Sequence, residues 1–156
     1  MNLINLKRLI VVEGDPNTGK SSILNAVCAQ LINAYPQNTP SLDITFTSRL
    51  ERYLVMTAKG GRLTAVCTPG DDANWVVNSF HLADQYKCEV LVCALSDCKR
   101  RNPRLTATRP TAKLAFDEIV SNHRLRPLIF YVNKQIPKPP KGYVNLNIVS
   151  NIMNSI

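Results

Sequence analysis

The chain has 156 residues, 45% of them hydrophobic, and its 19 lysines and arginines against 11 aspartates and glutamates give a formal net charge of +8. This length predicts a single domain over residues 1–156 that buries about two-thirds of the surface exposed by the unfolded chain. No apolar run approaches the length of a membrane span, and the five cysteines include no C-x-x-C pair. The composition therefore excludes a membrane-spanning protein, a disulfide framework and a zinc site, and it indicates a cytoplasmic location.

The first predicted elements are a strand and a helix joined by a glycine-containing loop. Residues 9–12 form a short β-branched apolar run, which is typical of a strand buried on both faces. Apolar residues then recur at helical spacing between 23 and 34, so a helix is predicted to begin near Lys20. Between the two, residues 14–21 read GDPNTGKS and match the pattern G-x-x-x-x-G-K-[ST] at every fixed position.

The residue types of this loop suit the binding of a polyphosphate. Glycines allow backbone N–H groups to approach phosphate oxygens, and the N-terminus of the following helix adds donors and the positive end of its dipole. Lys20 is expected to contact the β- and γ-phosphates, and the Ser21 hydroxyl is expected to ligate Mg²⁺. The candidate nucleotide-binding residues here are Gly14, Asp15, Pro16, Asn17, Thr18, Gly19, Lys20, Ser21 and Ser22.

Strands and helices are predicted to alternate along the rest of the chain. In order, we expect a loop over 36–48 with Thr45 and Thr47 as candidate ligands, a hairpin of strands over 52–58 and 62–67, a helix over 72–86, a buried strand over 90–95, a helix over 111–123, a buried strand over 128–132 and a short strand over 143–149. This order predicts an α/β three-layer sandwich, with a mostly parallel sheet, helices on both faces and one antiparallel hairpin edge.

Over nearly its whole length the chain resembles the P-loop NTPase superfamily, and its motif order is similar to that of Ras-like GTPases. The predicted hairpin ends in CTPG at residues 67–70, where those GTPases have Asp-x-x-Gly. The strand from Leu128 runs into NKQI at residues 133–136, where they have Asn-Lys-x-Asp. The resemblance implies the P-loop NTPase fold, a bound ATP or GTP with Mg²⁺, and nucleotide contacts from Asn133 and Lys134.

Two deciding residues of these motifs differ from the family pattern. Cys67 replaces the aspartate that holds Mg²⁺ through water, and Ile136 replaces the aspartate that accepts hydrogen bonds from guanine. A thiol is a poor partner for hydrated Mg²⁺ and isoleucine offers no acceptor, so these residues do not support guanine specificity. Asp71 is the first candidate to compensate by facing Mg²⁺ or the nucleophilic water, and Asp72 is the second. An aspartate here is equally suited to cap the following helix.

Three functions fit this pattern. The first is a nucleoside triphosphate-binding protein, acting as a slow Mg²⁺-dependent NTPase or switch, with Lys20 and Asp71 as catalytic residues and Ser21 and Asp71 at the metal. The second is a small-molecule or nucleotide kinase in which the arginine-rich residues 99–109 form a lid. The third is a non-catalytic nucleotide-binding module whose basic face, residues 99–126, docks a protein, a nucleic acid or another anionic partner.

Overall fold

The computed structural model describes residues 1–15, 18–46, 51–96, 111–133 and 143–156. Within these ranges the chain forms one six-stranded sheet between two layers of helices. The strands are β1 (Arg8–Gly14), β2 (Leu42–Phe46), β3 (Glu51–Thr57), β4 (Leu63–Cys67), β5 (Val90–Ser96) and β6 (Pro127–Val132). The helices are α1 (Lys20–Ala34), α2 (Ala73–Gln85), α3 (Ala112–Asn122) and α4 (Leu146–Ser155).

The strand order of the sheet is β2-β3-β4-β5-β1-β6. β1 lies between β5 and β6 and is parallel to both, and β4 is parallel to β5. β3 is antiparallel to its two neighbours, β2 and β4. The strands β1, β4, β5 and β6 therefore end together at one side of the sheet, which we call the carboxyl edge. The predicted mostly parallel sheet with an antiparallel hairpin is confirmed.

Two hydrophobic clusters cover the opposite faces of the sheet. Leu9 and Val11 of β1 belong to the cluster that also contains residues of α2 and α3. Ile10 and Val12 belong to the other cluster, together with residues of α1 and α4. Successive strand residues point to opposite faces, so a strand enclosed by helices on both sides reads as a continuous apolar run. The three-layer arrangement is confirmed.

The two middle helices begin and end close to their predicted bounds. The Asp72 side chain accepts a hydrogen bond of 3.0 Å from Trp75 N and caps α2, and Thr111 caps α3 in the same way through Leu114 N. Each helix is followed by a residue of positive φ, Lys87 at 56° and Arg124 at 52°. No helix in the described ranges has the length and apolar character needed to cross a membrane.

The predicted loop over residues 36–48 is wrong in part, because residues 42–46 form β2. This strand pairs with β3 along its whole length, and Thr45, predicted as a ligand, is the register partner of Arg52. The alternation of Leu42, Ile44 and Phe46 with polar residues is the strand signal that the nearby prolines obscured. Thr47, the other predicted ligand, lies outside the described residues.

The predicted last strand over residues 143–149 is also wrong, because a helix occupies most of this segment. Asn145 caps α4 by accepting from Ile148 N at 3.3 Å. Val149, Ile152 and Ile156 are buried in the cluster that contains α1 residues, and their spacing of three and four positions is helical. The apolar and polar residues of 144–148 alternate over too short a stretch to decide between the two structures.

The strand β6 is less buried than predicted. It pairs with β1 on one side and stands last in the strand order, so that Leu128 and Tyr131 remain 47% and 65% exposed. Apolar character alone indicated a central strand, whereas the position at the edge of the sheet follows from pairings with distant parts of the chain.

Candidate functional site

The loop between β1 and α1 lies at the carboxyl edge, and a hydrogen bond connects Thr18 to Asp15 within it. The Thr18 hydroxyl Oγ1 donates to the carbonyl oxygen of Asp15 at 2.8 Å. Gly19 precedes α1 with a φ of 89°, a left-handed conformation that favours glycine. Its carbonyl oxygen accepts the first helical hydrogen bond, from Ile23 N at 3.0 Å. Asp15 and Thr18 are therefore held close together, and Gly19 stands at the N-terminus of α1.

Lys20 folds back across this loop. It is only 5% exposed, and its Nζ donates to the carbonyl oxygen of Asp15 at 2.7 Å. A buried ammonium group is costly unless oxygen atoms surround it. The position of Lys20 at the start of α1 therefore marks a place suited to anionic oxygens.

Gly14 has no room for a side chain. A Cβ atom there would lie 2.5 Å from the carbonyl oxygen of Val132 and 2.9 Å from Thr18 Oγ1. Gly14 is the register partner of Ser96 in β5 and of Val132 in β6. The ends of both neighbouring strands thus enclose the start of the loop.

The segment after β4 brings Asp71 to the same edge. Ser96, which is fully buried, donates from its backbone N to the carbonyl oxygen of Gly70 at 2.9 Å and from its Oγ to Asp71 Oδ1 at 2.5 Å. A Cβ at Gly70 would lie 2.2 Å from the carbonyl oxygen of Ala94, so only glycine allows this approach. Because Ser96 is the register partner of Gly14, one residue links Asp71 to the strand that leads into the loop.

Sequence reasoning missed Ser96. The strand β5 lies between β4 and β1, so the CTPG segment, residues 67–70, reaches the loop across the end of β5. A hydroxyl side chain at the end of a continuous apolar run was the available signal, because parallel strands place their carboxyl ends at one edge. The structure also shows that Asp72 caps α2, whereas Asp71 bonds to Ser96.

The start of the CTPG segment is fastened to β3. The Thr68 hydroxyl donates to Glu51 Oε2 at 2.7 Å and accepts from Arg52 N at 2.7 Å. The Thr68 backbone N donates to the carbonyl oxygen of Arg52 at 3.0 Å. The residues that lead to Asp71 are therefore held at one end by β3 and at the other by β5.

Cys67 lies in the core, away from the helix that carries Ser21. It belongs to the cluster of α2 and α3 residues, whereas α1 packs on the opposite face of the sheet. Burial raises the pKa of its thiol well above the ordinary value, and the nearby Cys93 raises it further. The Cys67 thiol is therefore a buried core group on the face of the sheet opposite α1.

The remaining predicted site residues are placed as follows. Ser21 and Ser22 stand in the first turn of α1, partly exposed and exposed respectively, and Asn133 is exposed directly after β6. Outside the described residues lie Pro16, Asn17, Lys134 and the arginine-rich residues 99–109. Within the predicted basic face, residues 99–126, Lys113 pairs with Glu13 and Asp117.

One family of known proteins matches the chain. A family model described as 50S ribosome-binding GTPase matches residues 9–134, a range that contains the loop, the CTPG segment and β6. No curated protein and no solved structure matches the chain. The matched range covers most of the 156 residues. The chain therefore belongs to the 50S ribosome-binding GTPase family and is a P-loop nucleotide-binding protein.

Proposed function

We propose that this protein binds GTP together with Mg²⁺ and hydrolyses it slowly, as a nucleotide-dependent switch. The observation that carries the proposal is the buried Lys20, whose ammonium group lies 2.7 Å from the Asp15 carbonyl oxygen within the folded loop. The family match adds the guanine nucleotide. ATP, which the motifs alone left open, has no such support.

The loop would hold the β- and γ-phosphates by its backbone and by one side chain. The first N–H groups of α1 have no partner within the helix and point toward the loop, which favours a bound anion. Lys20 adds a full positive charge at the same place, so its ammonium would donate to phosphoryl oxygens as it now donates to Asp15. Each such contact is charge-assisted and stronger than a neutral hydrogen bond.

Ser21 and Asp71 fit the requirements of a hydrated Mg²⁺. Both are hard oxygen donors, and Mg²⁺ usually keeps several waters and takes one or two protein ligands beside the phosphates. The Ser96 hydroxyl restrains Asp71 by binding one oxygen of its carboxylate. When bound, the ion would neutralise charge on the phosphoryl oxygens. The chain's own part is to hold the hydroxyl of Ser21 and the carboxylate of Asp71 at the carboxyl edge.

Slow turnover follows from the residues at this edge. Asp71 would orient a water molecule for attack on the γ-phosphate, and positioning of this kind is the main contribution a protein makes to phosphoryl transfer. Cys67 provides no charge there, because it is a buried neutral thiol. We therefore place this protein among switches that an outside partner accelerates.

The printed description of the family suggests the large ribosomal subunit as that partner. A net charge of +8 favours association with ribosomal RNA, since a basic protein gains affinity by releasing counterions from phosphates. Sedimentation with purified 50S subunits in the presence of GTP or GDP would test this association. If the same amount of protein pellets with and without subunits, the ribosomal partner is ruled out. A cytoplasmic location belongs to the same proposal.

A thermal-shift panel tests nucleotide binding. A ligand that binds only the folded state raises its stability by mass action, so GTP with Mg²⁺ should raise the melting temperature, GDP less, and ATP and CTP little. Lys20→Ala should abolish the GTP shift, whereas Lys59→Ala, at an exposed residue of the turn between β3 and β4, should retain it. Equal GTP shifts in the two variants would contradict the proposal, and GTP consumption that requires a small acceptor would indicate a kinase instead.

A further inference from the structure

Glu13 is a buried carboxylate directly before the phosphate-binding loop. It is 6% exposed and belongs to β1, between Val12 and Gly14. Its register partners are the buried Leu95 and the exposed Tyr131. Within the part of the chain that the structure describes, its Oε2 is buried and has no hydrogen-bond partner. A group that is costly to bury therefore stands one residue from the site.

Lys113 approaches this carboxylate from α3. Its Nζ lies 3.4 Å from Glu13 Oε1 and 3.3 Å from Asp117 Oδ1, and it lies 5.5 Å from the centroid of the Phe116 ring. Burial lowers the pKa of Lys113, but the two carboxylates outweigh this effect and the pKa lies above its ordinary value. The ammonium group is therefore charged, and it is shared between β1 and the helix to which it belongs.

Stability alone gives a poor account of this pair. Apolar side chains of similar volume commonly replace buried ion pairs without loss of stability, while removal of one partner leaves an uncompensated charge. Leu9 and Val11 show that the same face of β1 accommodates apolar side chains. A methionine at position 13 would match this environment, so the charge indicates a role beyond packing.

The position of the pair suggests what that role is. The end of β1 sets the place of Gly14, where the lack of room for a Cβ leaves little freedom for displacement. A carboxylate so near a phosphate site also opposes the binding of an anion unless a cation neutralises it. Lys113 connects Glu13 to α3, which restrains the end of β1, and its positive charge compensates the charge of the carboxylate.

We propose that Glu13 is a positioning residue for the phosphate-binding loop, acting through Lys113 to hold the end of β1 against α3 and so to raise the affinity for the triphosphate. The pair touches no phosphate and takes no part in bond cleavage. This role rests on the proposed function, namely that the loop binds GTP.

A double-mutant cycle measures the coupling directly. The dissociation constant for Mg²⁺-GTP would be determined for the wild type, Glu13→Met, Lys113→Met and the double variant. Coupled neighbouring groups show interaction energies that correspond to about three- to a hundredfold in a binding constant. We expect Glu13→Met to weaken GTP binding by about threefold or more and Lys113→Met by about tenfold or more, because it also leaves the buried carboxylate uncompensated. The double variant should bind GTP like Glu13→Met alone.

Two controls distinguish a general loss of structure from a specific effect on the phosphate-binding loop. The first is the affinity for a second ligand, GMP, and the second is an ion pair far from the loop. GMP carries no β- or γ-phosphate, so its affinity should change far less than that of GTP if only the loop is displaced. Lys7 and Glu89 form an exposed ion pair at the opposite edge of the sheet, and Lys7→Met with Glu89→Met should leave GTP binding unchanged. If Lys113→Met does not fold, Lys113→Arg, which keeps the charge, should bind GTP like the wild type.

The outcomes distinguish this inference from the proposed function. If the wild type binds no GTP, or if Lys20→Ala binds GTP with the same affinity as the wild type, the proposed function itself fails. If Lys20→Ala abolishes binding while the effects of Glu13→Met and Lys113→Met simply add, or are both absent, only the positioning role is overturned. Equal losses of GMP and GTP affinity would likewise assign the pair a purely structural role.

Discussion

Ser96 Oγ donates a hydrogen bond of 2.5 Å to Asp71 Oδ1, across 25 positions of the sequence. Ser96 ends β5, and its register partner in β1 is Gly14, the first residue of the phosphate-binding loop. The bond therefore connects the carboxylate proposed to orient water with the strand that carries the loop. It also holds the segment after β4 at the carboxyl edge, together with the Ser96 N to Gly70 O bond.

Ser96→Ala tests this connection. Loss of this partly buried hydrogen bond to a carboxylate should lower the free energy of unfolding by about 1 kcal/mol, and kcat for GTP should fall by about tenfold because Asp71 loses the restraint that Ser96 gives it. Urea denaturation and single-turnover hydrolysis would measure the two effects.

Ser79→Ala is the matched control. Ser79 is also buried, its Oγ donates to the carbonyl oxygen of Trp75 at 2.9 Å within α2, and its side chain also bonds to the Cys67 thiol rather than to Asp71. It should lose stability but retain kcat. If both serine variants hydrolyse GTP equally fast at temperatures where they are folded, the Ser96–Asp71 bond has no part in turnover.

Gly70→Ala should damage both stability and turnover. The new Cβ would lie 2.2 Å from the Ala94 carbonyl oxygen, so the segment must move away from β5, at a cost of about 1–3 kcal/mol. Gly60→Ala is the comparison, because Gly60 has a φ of 66° but nothing within 4 Å of its Cβ position. It should cost about 1 kcal/mol and leave kcat unchanged. A smaller loss of stability in Gly70→Ala than in Gly60→Ala would refute this account.

The described cysteines should resist thiol reagents in the folded protein. Cys28, Cys67, Cys88 and Cys93 are free and buried, and burial raises the pKa of Cys28, Cys88 and Cys93 to about 12. With Cys98, which lies outside the described residues, replaced by serine, an aromatic disulfide reagent at pH 8 should release no colour before unfolding. All four thiols should react after it. Rapid reaction of the native Cys98→Ser variant would contradict the buried positions.

Alkaline pH should destabilise the fold through the same thiols. Their folded-state pKa is raised, so the contribution to stability is complete below the unfolded value of about 9 and is lost as the pH rises toward 12. Urea midpoints measured from pH 8 to 11 should decrease, and Cys93→Ala should reduce the slope. An unchanged slope in that variant would exclude Cys93 as a source of the effect.

Acid should act through two carboxylates at the edge opposite the loop. The Asn2 backbone N–H and then Lys87 lower the pKa of Asp84, and Lys7 lowers the pKa of Glu89. Groups with a lowered folded-state pKa stabilise the protein above the unfolded value and lose this contribution as the pH falls through the folded one. The urea midpoint should therefore drop between about pH 5 and 3, and less so in Asp84→Asn with Glu89→Gln. Identical acid profiles would disprove these pairings.

Local patterns predicted the fold class and the loop well. Residues 9–12 and the loop after them need only neighbouring residues to specify strand, turn and helix, and the structure agrees with that order. The middle helices were equally clear, because their capping residues and apolar stripes lie within a few positions.

Long-range pairing accounts for what the sequence could not predict. Nothing local indicates that β5 separates β4 from β1, so the contact of Ser96 with Asp71 had no visible signal beyond a polar residue after an apolar run. Glu13 and Lys113 are likewise 100 positions apart, and they meet because α3 packs on the face of the sheet that Leu9 and Val11 of β1 also cover. Polar and apolar residues alternate in both short segments 42–46 and 144–148, yet the first is a strand and the second runs into a helix. Alternation over five residues is a weak predictor, and packing against the rest of the chain determines the structure.

The central place of β1 in the sheet has a consequence for synthesis of the protein. Both hydrogen-bonding partners of this strand, Val90–Ser96 and Pro127–Val132, are translated long after it. At ordinary elongation rates the nascent chain carries this apolar strand without its neighbours for on the order of ten seconds. Competence to capture a nucleotide therefore arises late, once residue 132 has cleared the exit tunnel and the strand can be enclosed on both sides.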